Sequence, residues 1–264
     1  MLIAVQKIYH DGKYYTREEM KKIVTDYYNH VFTNKSDRHV QMLSLLPDDL
    51  NKNSYVLDYG CGMGGISNLF ASKYNCHVDA VDISRNELEK AIITFSGGEH
   101  KIDFIMLDNF GFPPNKYDLV FSSQVIEHVH NPGIYLSNIN KMIKEDGYLL
   151  IGLPNIVNVN YAINLMFFSQ KRARKHSKKM LENYNKAMHH INGWDPLHFI
   201  TLCASVGFEL VEWLPTEGTP ISSILYRIPI VGKYLYNLPI TTRLSYTMFF
   251  LFRKKFDKKI EIYE

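Results

Sequence analysis

The sequence predicts a doubly wound α/β fold, a mostly parallel sheet with helices on both faces. Three observations carry that prediction. Short apolar runs recur at residues 55–59, 77–82, 102–107, 119–122 and 148–153, too short to be helices. Helical stretches at 64–74, 84–95 and 132–144 alternate with them, and such alternation lays successive strands parallel. The composition is that of a globular chain, with 264 residues of which 46% are hydrophobic and 22% charged. A chain of this length buries roughly three quarters of the surface it exposes when unfolded.

Residues 1–50 read as an N-terminal helical segment, with helices over 17–32 and 36–46. Thr16 precedes the first, and Glu19 follows at capping-box spacing. Residues 51–264 form the main domain. The pairs Asn115-Lys116 and Asp146-Gly147 punctuate the loops before the fourth and fifth strands. Asp79, on the opposite strand face from Asp82, is expected to be solvated. From about 154 to 194 the alternation breaks into a long polar insertion, placed to cover a substrate pocket. It holds Lys171, Arg172, Arg174, Lys175, Lys178 and Lys179. A helix over 195–206 stopped by Gly207, a strand over 208–214 and a closing strand over 245–252 complete the chain.

The formal charge of +3 is too weak to imply nucleic acid as a partner. Cys61, Cys76 and Cys203 are odd in number and lack metal spacing, which predicts reduced thiols. Residues 1–11 lack the apolar region of a secretion leader. No run reaches the roughly 18 apolar residues of a spanning helix. These features predict a cytoplasmic protein.

The densest chemical signal is Val56-Leu57-Asp58-Tyr59-Gly60-Cys61-Gly62-Met63-Gly64-Gly65, a strand entering a glycine loop that opens a helix. Gly60, Gly62 and Gly65 also fit the dinucleotide fingerprint, so the glycines alone do not discriminate. Asp58 does: at the end of that strand a carboxylate repels a pyrophosphate and attracts a cationic ligand. Its other role would be to cap the helix. Asp82 ends the second strand, where an acid accepts from ribose hydroxyls, or caps the next helix. Asp108-Asn109 follows the third strand, where a side-chain acceptor meets an adenine amino group, or forms a turn.

Together VLDYGCGMGG (56–65), VDAVDIS (78–84), IDFIMLD (102–108), YDLVFSSQVIEHV (117–129) and DGYLLIGLPN (146–155) resemble the class I S-adenosylmethionine-dependent methyltransferases. The branch they resemble holds ubiquinone-pathway O-methyltransferases and small-molecule and sugar methyltransferases. The resemblance implies a seven-stranded sheet in the order 3-2-1-4-5-7-6, its last strand antiparallel. It implies that Asp58, Gly60 and Gly62 line the methionine part of S-adenosylmethionine, Asp82 the ribose and Asp108 the adenine. Ile83, Asn109 and Ser123 complete the candidate cofactor set.

The stretch 122–128 leaves the fourth strand at the edge where such sheets bind ligands. His128 can accept a proton near neutral pH, and Glu127 can orient it; the bland alternative is a histidine bonded to backbone at a turn. Of the pair His189-His190, the resemblance points His190 at the acceptor, with Tyr161 and Trp194 nearby. In some ubiquinone-pathway relatives a matching Glu-x-x-Glu-His stretch binds a divalent metal. Gln124 replaces the first acid here, a poorer ligand for a hard cation, so no metal is expected. The basic run 171–179 is a solvated face or the binding surface of an anionic acceptor. A bilayer or RNA contact is a lesser use of it. The tail's aromatics with Arg253, Lys254, Lys255, Lys258 and Lys259 could rest on a bilayer, but sheet-edge packing or a dimer contact is the commoner fate of such a strand. The expectation is O-methylation of a small acceptor, phosphorylated or nucleotide-activated, such as a sugar or glycan precursor. A nicotinamide oxidoreductase and a catalytically silent binding protein are the alternatives.

Overall fold

The computed structural model describes residues 8–33, 38–98, 100–157, 165–182, 190–216 and 245–256. The chain opens with a hairpin, β1 (Ile8–His10) and β2 (Lys13–Tyr15), which sequence reading did not anticipate. Its signal was present. Asp11-Gly12 is a hairpin turn pair, and both residues take positive φ, 45° and 79°. Helix α1 (Arg17–Thr33) starts at the predicted capping box: Thr16 N–H donates to Glu19 Oε2 at 2.8 Å, and Glu19 N–H to Thr16 Oγ1 at 3.3 Å. The short α2 (Arg38–Met42) follows and passes into a 3₁₀ turn.

The main domain runs β3 (Tyr55–Tyr59), α3 (Gly65–Tyr74), β4 (His77–Asp82), α4 (Arg85–Phe95), β5 (Ile102–Met106), β6 (Tyr117–Ser123), α5 (Pro132–Met142) and β7 (Ile143–Pro154). Then come α6 (Gln170–Glu182), α7 (Pro196–Ser205), β8 (Phe208–Thr216) and β9 (Thr247–Lys254). The seven strands lie in the order β5-β4-β3-β6-β7-β9-β8. Numbered within the sheet alone, that is the expected 3-2-1-4-5-7-6. Strands β3 to β7 pair in parallel, and β9 runs antiparallel to β7 and β8. Chain direction across the sheet reverses between β3 and β6, so a crevice opens beyond their carboxyl ends.

Both faces are covered, and the period of two divides the residues between two cores. Leu57, Val120, Leu149 and Phe250 face one cluster, beneath α5 and α7. Their sequence neighbours Val56, Leu119, Leu150 and Phe249 face the other, with Phe70 of α3 and Leu45. The N-terminal segment is fastened to this domain: Met20 and Val24 of α1 pack with Ile93 and Phe95 of α4.

Three expectations need correction. Asp146-Gly147 does not end a loop before the fifth strand. It lies inside β7 as a bulge, Asp146 at φ 59°, where the register jumps from Tyr117↔Ile143 to Leu119↔Tyr148. Asp79 is buried rather than solvated, because Lys116, Tyr117 and His77 converge on it at the amino edge of the sheet. The tail cations are engaged within the fold. Arg253 pairs with Asp146, Lys255 with Glu209, and buried Lys254 donates to Ile143 O at 2.9 Å. Lys258 and Lys259 fall outside the described residues. Cys61, Cys76 and Cys203 are buried, unpaired thiols. No helix among the described residues is long and apolar enough to cross a membrane.

Candidate active site

The glycine loop leaves the carboxyl end of β3 beside the reversal point and is bonded to the end of β4. Gly60 takes φ 92°, and a Cβ there would collide with Val125, so only glycine lets the loop pass under the chain leaving β6. Most of the loop's backbone donors are not open to a ligand, as the start of a helix would suggest. Gly60 and Cys61 N–H donate to Val81 O at 2.8 and 3.0 Å, Gly62 N–H to Asp82 Oδ2 at 2.8 Å, and Gly64 N–H to Cys61 O at 3.0 Å. A pyrophosphate would find no cradle here.

What the loop does present is negative. Asp58 is buried at the end of β3 and accepts from Ser67 Oγ at 2.6 Å. Burial, opposed by that hydrogen bond and helped by the charge of Asp82, pushes its pKa up from 3.8 to about 7. Asp82 accepts from Gly62 N–H and also from Ser84 N–H, at 2.7 Å. A cationic ligand beside Asp58 offsets the cost of its burial; an anionic one increases it. The loop therefore fits the ammonium and sulfonium of S-adenosylmethionine and disfavours a nicotinamide dinucleotide.

A cavity of about 240 Å³ opens here, lined by Asp58, Gly60, Gly62 and Ser123 of the predicted set, with Gln124. Gln124 holds a strained φ of 58°, and the buried Ser123 Oγ and Gln124 Nε2 have no hydrogen-bond partner. Asp82 stands behind the loop through its bond to Gly62. Ile83 is exposed, and so are Asp108 and Asn109, in a 3₁₀ turn after β5; the cavity's lining does not include them.

Sequence reading missed what α1 and α2 bring: Tyr27, Tyr28, Arg38 and His39 also line this cavity. Tyr28 lies against Gly65, in space that a Cβ would fill, and accepts a hydrogen bond from its N–H. Gly65 was the available signal. It has no positive φ to justify it, so it serves the close approach of another element.

The acceptor-side residues come together. After β6 a 3₁₀ turn, Ile126–His128, buries Glu127, and neither carboxylate oxygen has a hydrogen-bond partner on another residue. His128 Nε2 lies 3.9 Å from Glu127 Oε1, and the His128 and His190 rings meet edge to face at 5.0 Å. The backbone sets this geometry: Ile191 and Asn192 N–H donate to Glu127 O at 2.9 and 3.1 Å, and the Asn192 amide donates to Val129 O. Burial pushes the Glu127 carboxyl up, opposed by a hydrogen bond to its own backbone and by the charges of His128 and Arg38. Burial, and then His128, pushes the His190 imidazole down. The buried indole N–H of Trp194 also lacks a partner. The three ligand atoms of Glu127, His128 and His190 lie within 4.8 Å of one another. His190 thus joins a group that sequence reading judged for metal binding through Gln124 alone. Tyr161 and His189 lie outside the described residues.

The insertion is pinned at its base, where Asn155 bridges Trp194 and Ile156 N–H donates to Trp194 O at 3.1 Å. Its α6 is exposed, and none of its residues lines the cavity.

A family model described as a methyltransferase domain matches residues 30–213. The chain belongs to the class I S-adenosylmethionine-dependent methyltransferases. The chain is 36% identical over 107 residues to a phosphoethanolamine N-methyltransferase of Plasmodium falciparum, covering 39% of this chain and 40% of that one. It is 28% identical over 123 residues to a sarcosine/dimethylglycine N-methyltransferase of Halorhodospira halochloris, covering 45% and 44%. A wheat phosphoethanolamine N-methyltransferase matches at 30% over 105 residues, 39% of this chain and 21% of the other. The chain thus spans about a fifth to two fifths of the length of the curated relatives it matches. Among solved structures, an S-adenosylmethionine-dependent methyltransferase of Mesorhizobium loti superposes with TM-score 0.55 at 15% identity, over 81% of this chain and 96% of that one. A Haemonchus contortus phosphoethanolamine N-methyltransferase does so with TM-score 0.56 at 19%, over 88% and 56%. At those identities the likeness concerns the fold.

Proposed function

We propose that this methyltransferase acts on a small acceptor that carries an acidic group, and that the methyl goes to an amine nitrogen. The observation that carries the reading is Glu127, a buried carboxylate without a hydrogen-bond partner on another residue, beside two imidazoles. An ammonium-bearing acceptor supplies a directly hydrogen-bonded cation, and His128 or His190 takes the proton that frees the nitrogen lone pair. S-adenosylmethionine supplies the electrophilic methyl. Asp58, Gly60, Gly62, Ser123 and Asp82 hold that donor in this reading, and the exposed Ile83, Asp108 and Asn109 after β4 and β5 are left for its ribose and adenine end. Most of the acceleration then comes from holding donor and acceptor in line. No step needs a metal, although two imidazoles and a carboxylate are a donor set that a divalent cation could use.

The named relatives act on phosphoethanolamine and on sarcosine or dimethylglycine, small amines that also carry an acid, and this supports the nitrogen reading. Oxygen is the second reading. His128, half-buried just past β6, suits general-base attack on a hydroxyl, with a phosphorylated or nucleotide-activated sugar as acceptor. The basic run lends that acceptor little support, because α6 gives the cavity no cation. The test is to follow S-adenosylhomocysteine formation across phosphoethanolamine, sarcosine, sugar phosphates and nucleotide sugars, with the product's mass measured. Turnover confined to the amines is expected. Turnover confined to hydroxyl acceptors would replace nitrogen by oxygen, and production of none would leave the chain a donor-binding protein.

A further inference from the structure

The segment between β7 and α7 carries two features that methyl transfer leaves unused. The first is α6, with six Lys and Arg against one acid, Glu182, and no buried residue. On a helical projection the six cations fall within roughly 160° of arc, with Glu182 among them and paired to Lys178, Leu181 at the arc's edge and Ala173 and Met180 on the opposite side. The second is the turn just before it. Leu165, Met166, Phe167 and Phe168 are exposed by 53, 80, 65 and 51%, and Leu181 on α6 by 71%. Arg172 ties the two together, its Nη1 donating to Phe167 O at 3.0 Å. Four consecutive large apolar side chains held open to water mark an interaction surface.

We propose that this segment docks the enzyme on an anionic lipid bilayer. Leu165 to Phe168 enter the boundary between headgroups and acyl chains, and the cationic arc of α6 lies against the lipid phosphates. The charge pattern selects this occupant. A second copy of the chain would set six cations against six in a two-fold contact. A nucleic acid would want aromatic platforms interleaved with the cations, whereas Phe167 and Phe168 belong to one apolar run ahead of α6, with Leu165 and Met166, which stack on nothing. The proposal is independent of the acceptor's identity.

The test is co-sedimentation of the full chain with vesicles of phosphatidylcholine alone and of phosphatidylcholine with added phosphatidylglycerol, at low and high salt. Binding to the anionic vesicles that high salt weakens at least about tenfold is expected. Changing Lys171, Arg172, Arg174 and Lys175 to Gln should lower partitioning by roughly fivefold per cation. Phe167→Ser with Phe168→Ser should lower it at full charge. All six positions are exposed, so donor affinity and melting temperature should stay at the parent's and show that the variants are folded. Equal partitioning to neutral and anionic vesicles would overturn the proposal, as would no binding to either. So would a serine double variant that binds like the parent, since charge alone would then hold the protein. Displacement from vesicles by equimolar single-stranded RNA, lost in the Gln variant, would reassign the surface to nucleic acid.

Discussion

Two acid–histidine clusters lie at opposite ends of the parallel strands, and they differ in one respect. His77, Asp79 and Asp103 at the amino edge, like Glu127, His128 and His190 past the carboxyl end of β6, bring three potential ligand atoms within 4.8 Å. Each is centred on a buried carboxylate. Asp79 is answered in full: Tyr117 Oη donates to it at 2.5 Å, Lys116 pairs with it, and His77 Nε2 stands 3.3 Å away. The Glu127 carboxylate has no hydrogen-bond partner on another residue, and the nearest cation-forming group, His128, stands off at 3.9 Å. A buried charge with its partners in place holds a fold together. One left wanting is held by the rest of the structure for something that arrives.

The largest expected effects are at Glu127 and His128. Glu127→Gln and His128→Ala should each lower turnover by roughly 10²–10⁴ while donor affinity stays put. The melting temperature of Glu127→Gln should equal or exceed the parent's, because a buried charge is removed. A fall in stability with turnover intact would make Glu127 a structural residue like Asp79 and erase the contrast. Chelation by EDTA should leave turnover unchanged; loss restored by a divalent cation would give the same three residues to a metal.

Asp79 should behave in the opposite way. Asp79→Asn leaves Lys116 facing a neutral amide, and chemical denaturation should show a loss of roughly 1–3 kcal/mol. Turnover per folded molecule should not change. Reduced turnover in the folded variant would mean that the amino edge communicates with the site.

The contrast also explains how much was legible in the sequence. Strand alternation is a local pattern, so the sheet order and most boundaries could be anticipated; Tyr55–Tyr59 and His77–Asp82 match to the residue. The place of Asp58, near the end of a strand, was legible for the same reason. The burial of Asp79 was not, because its partners Lys116 and Tyr117 lie 37 and 38 residues away. The place of Tyr28 over Gly65 was hidden likewise, since it depends on how α1 packs on another element. His190 joined His128 only by family resemblance. The bonds that bring it there, from Ile191 and Asn192 to a backbone carbonyl, leave no mark in side-chain identity.

Asp58 gives a pH test. Its folded pKa is raised, from 3.8 to about 7, so the stability it contributes is fully present below about pH 4 and lost as pH rises through 7. Binding of a cationic donor needs the ionised form and runs the other way. The affinity for S-adenosylmethionine by calorimetry should weaken by up to about tenfold per unit as pH falls below 7. Asp58→Asn should bind weakly and without that slope. A parent whose affinity is flat from pH 5 to 8 would show that Asp58 does not face the donor.

The smallest effect concerns Tyr28, and it decides whether the N-terminal helix belongs to the site or only rests on it. The phenol oxygen accepts the Gly65 N–H at the first turn of α3, and burial, the dominant influence, pushes the phenol's pKa up. The ring meanwhile fills the space above Gly65. Tyr28→Phe keeps the ring and removes the acceptor, leaving one backbone donor unanswered at the edge of the cavity. The loss should be about 0.5–1.5 kcal/mol, read as a roughly two- to tenfold weaker donor affinity with turnover at saturation retained. Tyr28→Ala removes the ring as well and opens the cavity to water, so it should cost more in donor affinity than the Phe variant. If both variants bind the donor as the parent does and merely melt earlier, α1 is a brace for the domain. The donor site then ends at the glycine loop.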